Sequence, residues 1–284
     1  MKDYTKKHNE NKQIQNDKNL ETYAFVTGAS RGLGRAFTFE LAKRNINLLL
    51  VALPEDGLPE LCTHLKENYS IECSYFETDL TKTGNIKKLI DWTLSKFRIN
   101  ILINNAGIGG SKEFVEAETD YLEKMIALNV TALTLITHQL LPELKSHEQS
   151  YILNVGSIAS FSPIGYKTIY PASKVFTHYF TRGLHQELKG TGVNVSVLHP
   201  GPMRTNRQVI KRINKHGLFG SLGVLNTEYV AEKSLDNLFH NKPQITLGWF
   251  NKFIRLLMKT VPISIRLPIM TKRIKRELKA KKQS

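Results

Sequence analysis

Cysteine is scarce in this 284-residue chain: Cys62 and Cys73 are the only two, and neither sits in a CxxC pair or a Cys/His spacing that would hold a metal. A disulfide scaffold and a structural metal are excluded, and a reducing, cytoplasmic setting is expected. No run of eighteen or more apolar residues occurs. The longest predominantly apolar stretch, Ile46 to Leu53, has the length of a buried strand, so no membrane-spanning helix is expected. The opening stretch, Met1 to Leu20, lacks the apolar centre of a secretory signal and reads as a polar, disordered leader. No repeat of fixed period is found. Acids are almost missing from the other end: Asn251 to Ser284 holds eleven Lys or Arg against Glu277 alone, so this tail carries +10 of the chain's net +15.

What the chain does have is 41% hydrophobic and 23% charged residues, enough apolar material for a large core. From Tyr23 onward, short apolar runs alternate with longer amphipathic segments, the rhythm of β-α units feeding a parallel sheet. Strands are predicted at 23–27, 47–53, 72–77, 100–104, 151–155, 194–199 and 244–247. Helical periodicity marks 33–44, 85–97, 121–141, 173–189 and 228–240, the last with Thr227 as its N-terminal signal. The fold expected is α/β: a Rossmann-type doubly wound parallel sheet of about seven strands with helices on both faces. The chain divides into the leader 1–20, one dinucleotide-binding and catalytic domain over 21–248, and a basic amphipathic extension over 249–284.

The first predicted strand runs into Thr27-Gly28-Ala29-Ser30-Arg31-Gly32-Leu33-Gly34 and then a helix. In that order Gly28 takes the tight turn, Gly32 lets the backbone approach a pyrophosphate, and Gly34 lets helix and sheet pack closely. The phosphate then rests on free N–H groups at the helix start. The spacing is GxxxGxG, and in this it resembles the classical short-chain dehydrogenase/reductase (SDR) family. Five further motifs follow in register over roughly 23–205: Asp79-Leu80, Asn104-Asn105-Ala106-Gly107, Asn129 within Leu-Asn-Val, Ser157 thirteen residues before Tyr170-Pro171-Ala172-Ser173-Lys174, and Pro200-Gly201-Pro202-Met203-Arg204-Thr205.

The resemblance implies an oxidoreductase that interconverts a ketone or aldehyde and an alcohol by hydride transfer. Its catalytic set would be Ser157, Tyr170, Lys174 and Asn129. Cofactor contacts would come from Gly28, Ser30, Arg31, Gly32, Leu33, Gly34, Asp79, Leu80, Asn105, Ala106, Gly107, Tyr170, Lys174, Pro200, Gly201, Met203 and Thr205, with no metal. The residue types suit that chemistry. A phenol ordinarily titrates near pH 10 and needs a neighbouring positive charge to exchange protons at neutral pH. Lys174, four residues beyond Tyr170 on one helix, can supply it. Ser157 can donate to the substrate oxygen as its charge grows. The resemblance further implies that Lys174 holds the nicotinamide ribose and that Asn129 orders a proton-relaying water. His138, His178, His185 and His199 match no motif and read as structural.

NADP is favoured over NAD, because Arg31 in the glycine loop can meet a 2'-phosphate while the second strand ends Ala52-Leu53, without an acid for a ribose hydroxyl. Glu55 and Asp56 come later and can turn either way. Residues 206–223 read as a substrate lid with glycine hinges. In the tail, aromatic and aliphatic residues recur every three or four positions with cations between, and Pro262 and Pro268 divide it into short pieces. That pattern fits a helix lying on an anionic membrane surface, and equally a helix packed over the substrate cleft. A small carbonyl or alcohol substrate is expected, apolar or lipid-like by preference. A 3-oxoacyl thioester on an acidic carrier, or a sugar, stays open, as does a homo-oligomer; no nucleic-acid module is present. The alternatives are a nucleotide-binding regulator and a membrane-associated scaffold with a vestigial site.

Overall fold

The computed structural model describes residues 21–203 and 223–282, so the predicted leader, Thr205 and nearly all of the predicted lid lie outside the described residues. Seven parallel strands form one sheet in the order β3-β2-β1-β4-β5-β6-β7. They are β1 (Thr22–Thr27), β2 (Asn47–Ala52), β3 (Cys73–Glu77), β4 (Arg98–Asn104), β5 (Ser150–Val155), β6 (Val193–Leu198) and β7 (Gln244–Ile245). Both faces are covered, which is why the strands read as continuous apolar runs instead of alternating ones. Along β2 the side chains still take turns: Leu48 and Leu50 join the core on one face, Leu49 and Val51 the core on the other.

Helices α1 (Gly32–Ala42), α2 (Leu58–Asn68) and α7 (Thr227–Phe239) cover the first face, through Phe37, Leu41, Leu61, Leu65, Leu235 and Leu238. The second is covered by α3 (Thr83–Lys96) and α5 (Leu133–Lys145), which contribute Ile86, Leu89, Ile136 and Leu140. A π-helical turn, Ala127–Ala132, joins α4 (Thr119–Ile126) to α5, and α6 (Ile169–Glu187) packs beside them. The whole of Thr119–Lys145 is long and apolar enough to cross a bilayer by length and composition. Its apolar residues Ile136, Leu140 and Leu144 are nonetheless buried in the core of this domain. The thiols of Cys62 and Cys73, both free and buried, stand 2.6 Å apart between α2 and β3.

Two readings of the chain need correction. Asn226, not Thr227, caps α7, its side chain accepting from the Glu228 N–H at 2.8 Å. In the tail, Pro262 does separate α8 (Trp249–Thr260) from α9 (Ile263–Lys282), but Pro268 does not break α9, which runs straight through it. Proline removes one amide donor and leaves the carbonyl four residues back without its bond. That residue, Ser264, is exposed at the start of the helix, where a lost main-chain bond costs little.

Candidate active site

Strand order reverses at β1, whose neighbours β2 and β4 lead to opposite halves of the sheet, and ligand crevices form at such a point beyond the carboxyl ends of the strands. The glycine loop lies there. Gly28 and Gly32 hold φ of +65° and +57°, which side chains resist, and a Cβ on Gly34 would run into the Gly28 carbonyl oxygen. Asn105 fixes the loop from β4: its side chain donates to the carbonyls of Thr27 and Gly28, at 2.9 and 3.1 Å. The N–H groups of Asn105 and Ala106 both donate to Thr27 Oγ1 at 3.0 Å. Leu33 and Leu80 bury their side chains in the two cores, so they can offer a ligand only main-chain groups.

Asp56 turns toward this loop. Its Oδ2 accepts from Ser30 Oγ at 3.3 Å and stands 3.7 Å from an Arg31 guanidinium nitrogen. Asp79 receives the N–H and the hydroxyl of Thr81 at 2.9 and 2.7 Å. Burial pushes this carboxyl up, but those two bonds and the charges of Lys82 and Lys124 outweigh it and leave it below the usual carboxylate range.

The catalytic candidates converge on the other side of the crevice, along Gly107 to Gly109. The π-helical turn places Asn129 so that its Oδ1 accepts from the Ile108 N–H at 2.9 Å, while its Nδ2 donates to the Ile108 carbonyl at 2.8 Å and Ser173 Oγ at 3.0 Å. A Cβ on Gly107 would meet Asn129 Oδ1 at 3.1 Å and Lys174 Nζ at 3.4 Å, so amide and ammonium flank one bare stretch of backbone. Two residues on, the Tyr170 ring lies so close to Gly109 that a Cβ there would stand 2.8 and 2.9 Å from two ring carbons. Lys174 Nζ donates to the Val155 carbonyl at 2.8 Å, and full burial pushes its ammonium down to about 8. Ser157 follows β5, buried, and its Oγ accepts from the Ala159 N–H at 3.1 Å. These bonds leave the serine hydroxyl hydrogen for another acceptor.

Two histidines that the sequence left aside stand directly behind Ser157. His199 Nδ1 lies 3.0 Å from the Ser157 carbonyl, and its Nε2 lies 3.1 Å from His178 Nδ1. A carbonyl can only accept, so His199 carries its proton on Nδ1 and receives His178 Nδ1–H at Nε2. Burial, the neighbouring His178 and the cations Arg255 and Lys174 push His199 down to about 3 against the opposing Ser157 bond, which keeps the pair neutral. Sequence spacing gives no sign of this pair; only the sheet brings α6 beside the end of β6.

The nicotinamide-side turn is held from the tail. Pro200 accepts the Ile158 N–H at 3.0 Å, and Met203 bridges to Leu225, whose N–H reaches the Pro202 carbonyl at 3.2 Å. Asn251, buried in the first turn of α8, occupies the space over Gly201 and donates to the carbonyls of Gly223 and Leu247 at 3.0 and 3.1 Å. Beside Tyr170 opens a shallow cleft lined among others by Phe114, Tyr121, Leu122, Met125, Tyr166 and Ile169. Among the described residues no group of three or more His, Cys, Asp or Glu could hold a metal.

A family model described as short chain dehydrogenase matches residues 22–215. A very-long-chain 3-oxoacyl-CoA reductase of Anas platyrhynchos is 32% identical over 197 residues, which is 68% of this chain but 63% of that protein. The chain thus spans less than two thirds of that relative's length. An uncharacterized oxidoreductase of Staphylococcus saprophyticus is 32% identical over 183 residues, 64% of this chain and 78% of that one. Among solved structures, a short-chain dehydrogenase from Sphingobium yanoikuyae in complex with NADPH aligns with a TM-score of 0.72 at 27% identity, covering 85% of this chain and 96% of that one. The fold alone is also shared with a 7beta-hydroxysteroid dehydrogenase, at a TM-score of 0.81, 21% identity and coverage of 89% and 98%.

Proposed function

The chain belongs to the short chain dehydrogenase family, and from that premise we propose that it reduces an apolar ketone to an alcohol with NADPH. The observation that carries the reading is the gathering of Tyr170, Lys174 and Asn129 along the bare backbone of Gly107 to Gly109, with Ser157 at the end of β5 and the glycine loop across the same crevice. The cradle fits a dinucleotide: Gly28 and Gly32 hold the turn at positive φ, Gly34 packs against the Gly28 carbonyl, and no side chain caps the start of α1, where a pyrophosphate would rest. Bound there, such a cofactor supplies the hydride.

The protein's own groups handle the proton and the charge. Tyr170 donates its phenolic proton to the carbonyl oxygen as that oxygen becomes an alkoxide. Lys174, charged at neutral pH, makes the resulting phenolate affordable and is itself held by the Val155 carbonyl. Ser157 donates a hydrogen bond to the same oxygen, an arrangement of the oxyanion-hole kind. Its own main chain is fixed by His199, so the hydroxyl starts from a rigid base. Asn129, locked by both polar groups of Ile108, holds the segment that Lys174 and Tyr170 flank.

Apolar substrate is supported by the cleft beside Tyr170, whose lining includes Phe114, Leu122, Met125 and Ile169, and by the relative whose name specifies a very-long-chain acyl compound. Preference for NADPH is supported by Arg31 and by the NADPH complex among the similar structures. Consumption of NADPH against ketones of graded chain length, with NADH in parallel, tests the reading. We expect turnover to rise with apolar length, and Tyr170→Phe to lose at least about a hundredfold in kcat while still binding NADPH. Full activity in that variant would point instead to a nucleotide-binding regulator.

A further inference from the structure

Helix α8 carries apolar side chains on two faces: Phe250, Ile254 and Met258 are half-buried at i, i+4 and i+8. Its Arg255 turns toward the domain, where it donates to Thr246 Oγ1 at 3.2 Å and stands over the Phe161 ring at 5.7 Å. A second set of large apolar side chains turns the other way: Trp249 is 74% exposed, Phe253 49% and Leu256 58%. These three fall at i, i+4 and i+7, a single stripe, with Leu257 beside it. Exposed Lys252 and Lys259 run along one edge of the stripe. The half-buried face already supplies the packing of α8 on the domain, so this second apolar stripe is left in water with nothing over it among the described residues.

The same character continues into α9. Ile265, Ile269, Lys272, Arg276 and Lys279 occupy one exposed stripe at steps of three and four, apolar in its first two turns and cationic afterwards. Meanwhile the inner faces of both helices grip the segment that follows Ser157. Arg266 donates to the Phe161 carbonyl, Lys259 reaches the Phe161 ring at 5.9 Å, and Thr271 Oγ1 accepts the Gly165 N–H at 3.1 Å. Four residues beyond Gly165 begins the helix that bears Tyr170.

We propose that α8 and α9 form a docking surface for an anionic lipid bilayer, with Trp249, Phe253, Leu256, Ile265 and Ile269 in the boundary between headgroups and acyl chains. Lys252, Lys272, Arg276 and Lys279 meet the lipid phosphates. Charge selects this occupant. A second copy of the chain would bring an identical +10 tail and be repelled, and nucleic acid would answer the cations but leave the apolar stripe in water. Because the inner faces hold the segment between Ser157 and Tyr170, docking would set the reaction cleft at the lipid surface.

The test uses the full chain, without cofactor or substrate, so it does not depend on turnover. Flotation with vesicles of phosphatidylcholine, alone or with about a third phosphatidylserine, is compared at about 0.05 M and 0.5 M salt. The expected result is at least about tenfold tighter binding to the anionic vesicles at low salt, weakened by salt. Trp249 emission should shift to the blue on those vesicles and Trp249→Phe should abolish the shift, leaving Trp92 as the unmoved reference. The double variant Trp249→Glu, Leu256→Glu should lose binding about tenfold or more while keeping the wild-type melting temperature and circular dichroism. Equal binding to both vesicle types, an unmoved Trp249, or unchanged binding by the double variant overturns the proposal. So does a dimer in light scattering that the double variant dissolves, since a second copy would then be the occupant.

Discussion

Replacing Lys174 by Met should stabilise the apo protein at neutral pH while abolishing turnover, and the size of the effect follows from burial. The ammonium titrates at about 8 in the folded protein against 10.5 when free. Folding around the charged form therefore costs about 3 kcal/mol at pH 7, at about 1.4 kcal/mol for each pH unit of displacement. The variant leaves the Val155 carbonyl unpaired, which gives back about 1–2 kcal/mol, so the net gain is about 1–2 kcal/mol. The sign with pH is the sharper test. Between pH 8 and 10.5 the unfolded chain holds the proton that the folded one has released, so wild-type stability rises through that window and the variant's does not. Integrating from pH 7 to 9.5, the wild type should recover about 2 kcal/mol relative to Lys174→Met. Urea unfolding of both proteins at the two pH values measures the gap. A gap that stays constant refutes the placement of Lys174 as a buried ammonium.

Gly109→Ala puts a methyl 2.8 to 2.9 Å from the Tyr170 ring, and should lower kcat about ten- to a hundredfold with little change in melting temperature, as steady-state kinetics and calorimetry would show. Unaltered kcat would mean that the ring is not held there. Arg31→Ala should weaken NADPH about tenfold and NADH hardly at all, whereas Asp56→Asn, which releases Arg31, should tighten NADPH. Fluorescence titration decides it, and the reverse order would place Arg31 away from the 2'-phosphate.

The sheet was legible because parallel strands buried on both faces leave bare runs of Leu, Ile and Val, and the glycine loop because its spacing answers local steric demands. The catalytic candidates came from the resemblance; helical spacing by itself said only that Tyr170 and Lys174 lie one turn apart on one face. Helix α2 is absent from the predicted helices, and its Pro59 sits in the first turn, where no amide donor is missed. The direction of Asp56 turned on Glu55, whose φ of +63° swings the next carboxylate back toward Ser30; nothing in a Glu-Asp pair announces that. His178 and His199 meet only through the packing of α6 on β6. Helix α8 was half visible: its periodicity could be read, but which of its apolar faces turned inward depended on contacts with residues remote in sequence, such as Phe161 and Thr246.

Asn251 has a bearing on where the protein can be cut. Its amide knits Gly223 and Leu247 together and fills the hollow above Gly201, although it belongs to the helix whose other side is bare to solvent. The seam between the reaction core and the outward-facing helices thus runs through the first turn of α8 and not in front of it. A chain shortened ahead of Asn251 would lose a brace of the turn at Gly201 along with the tail, and its inactivity would say nothing about lipid. One ending after Thr260 keeps that brace and separates the two.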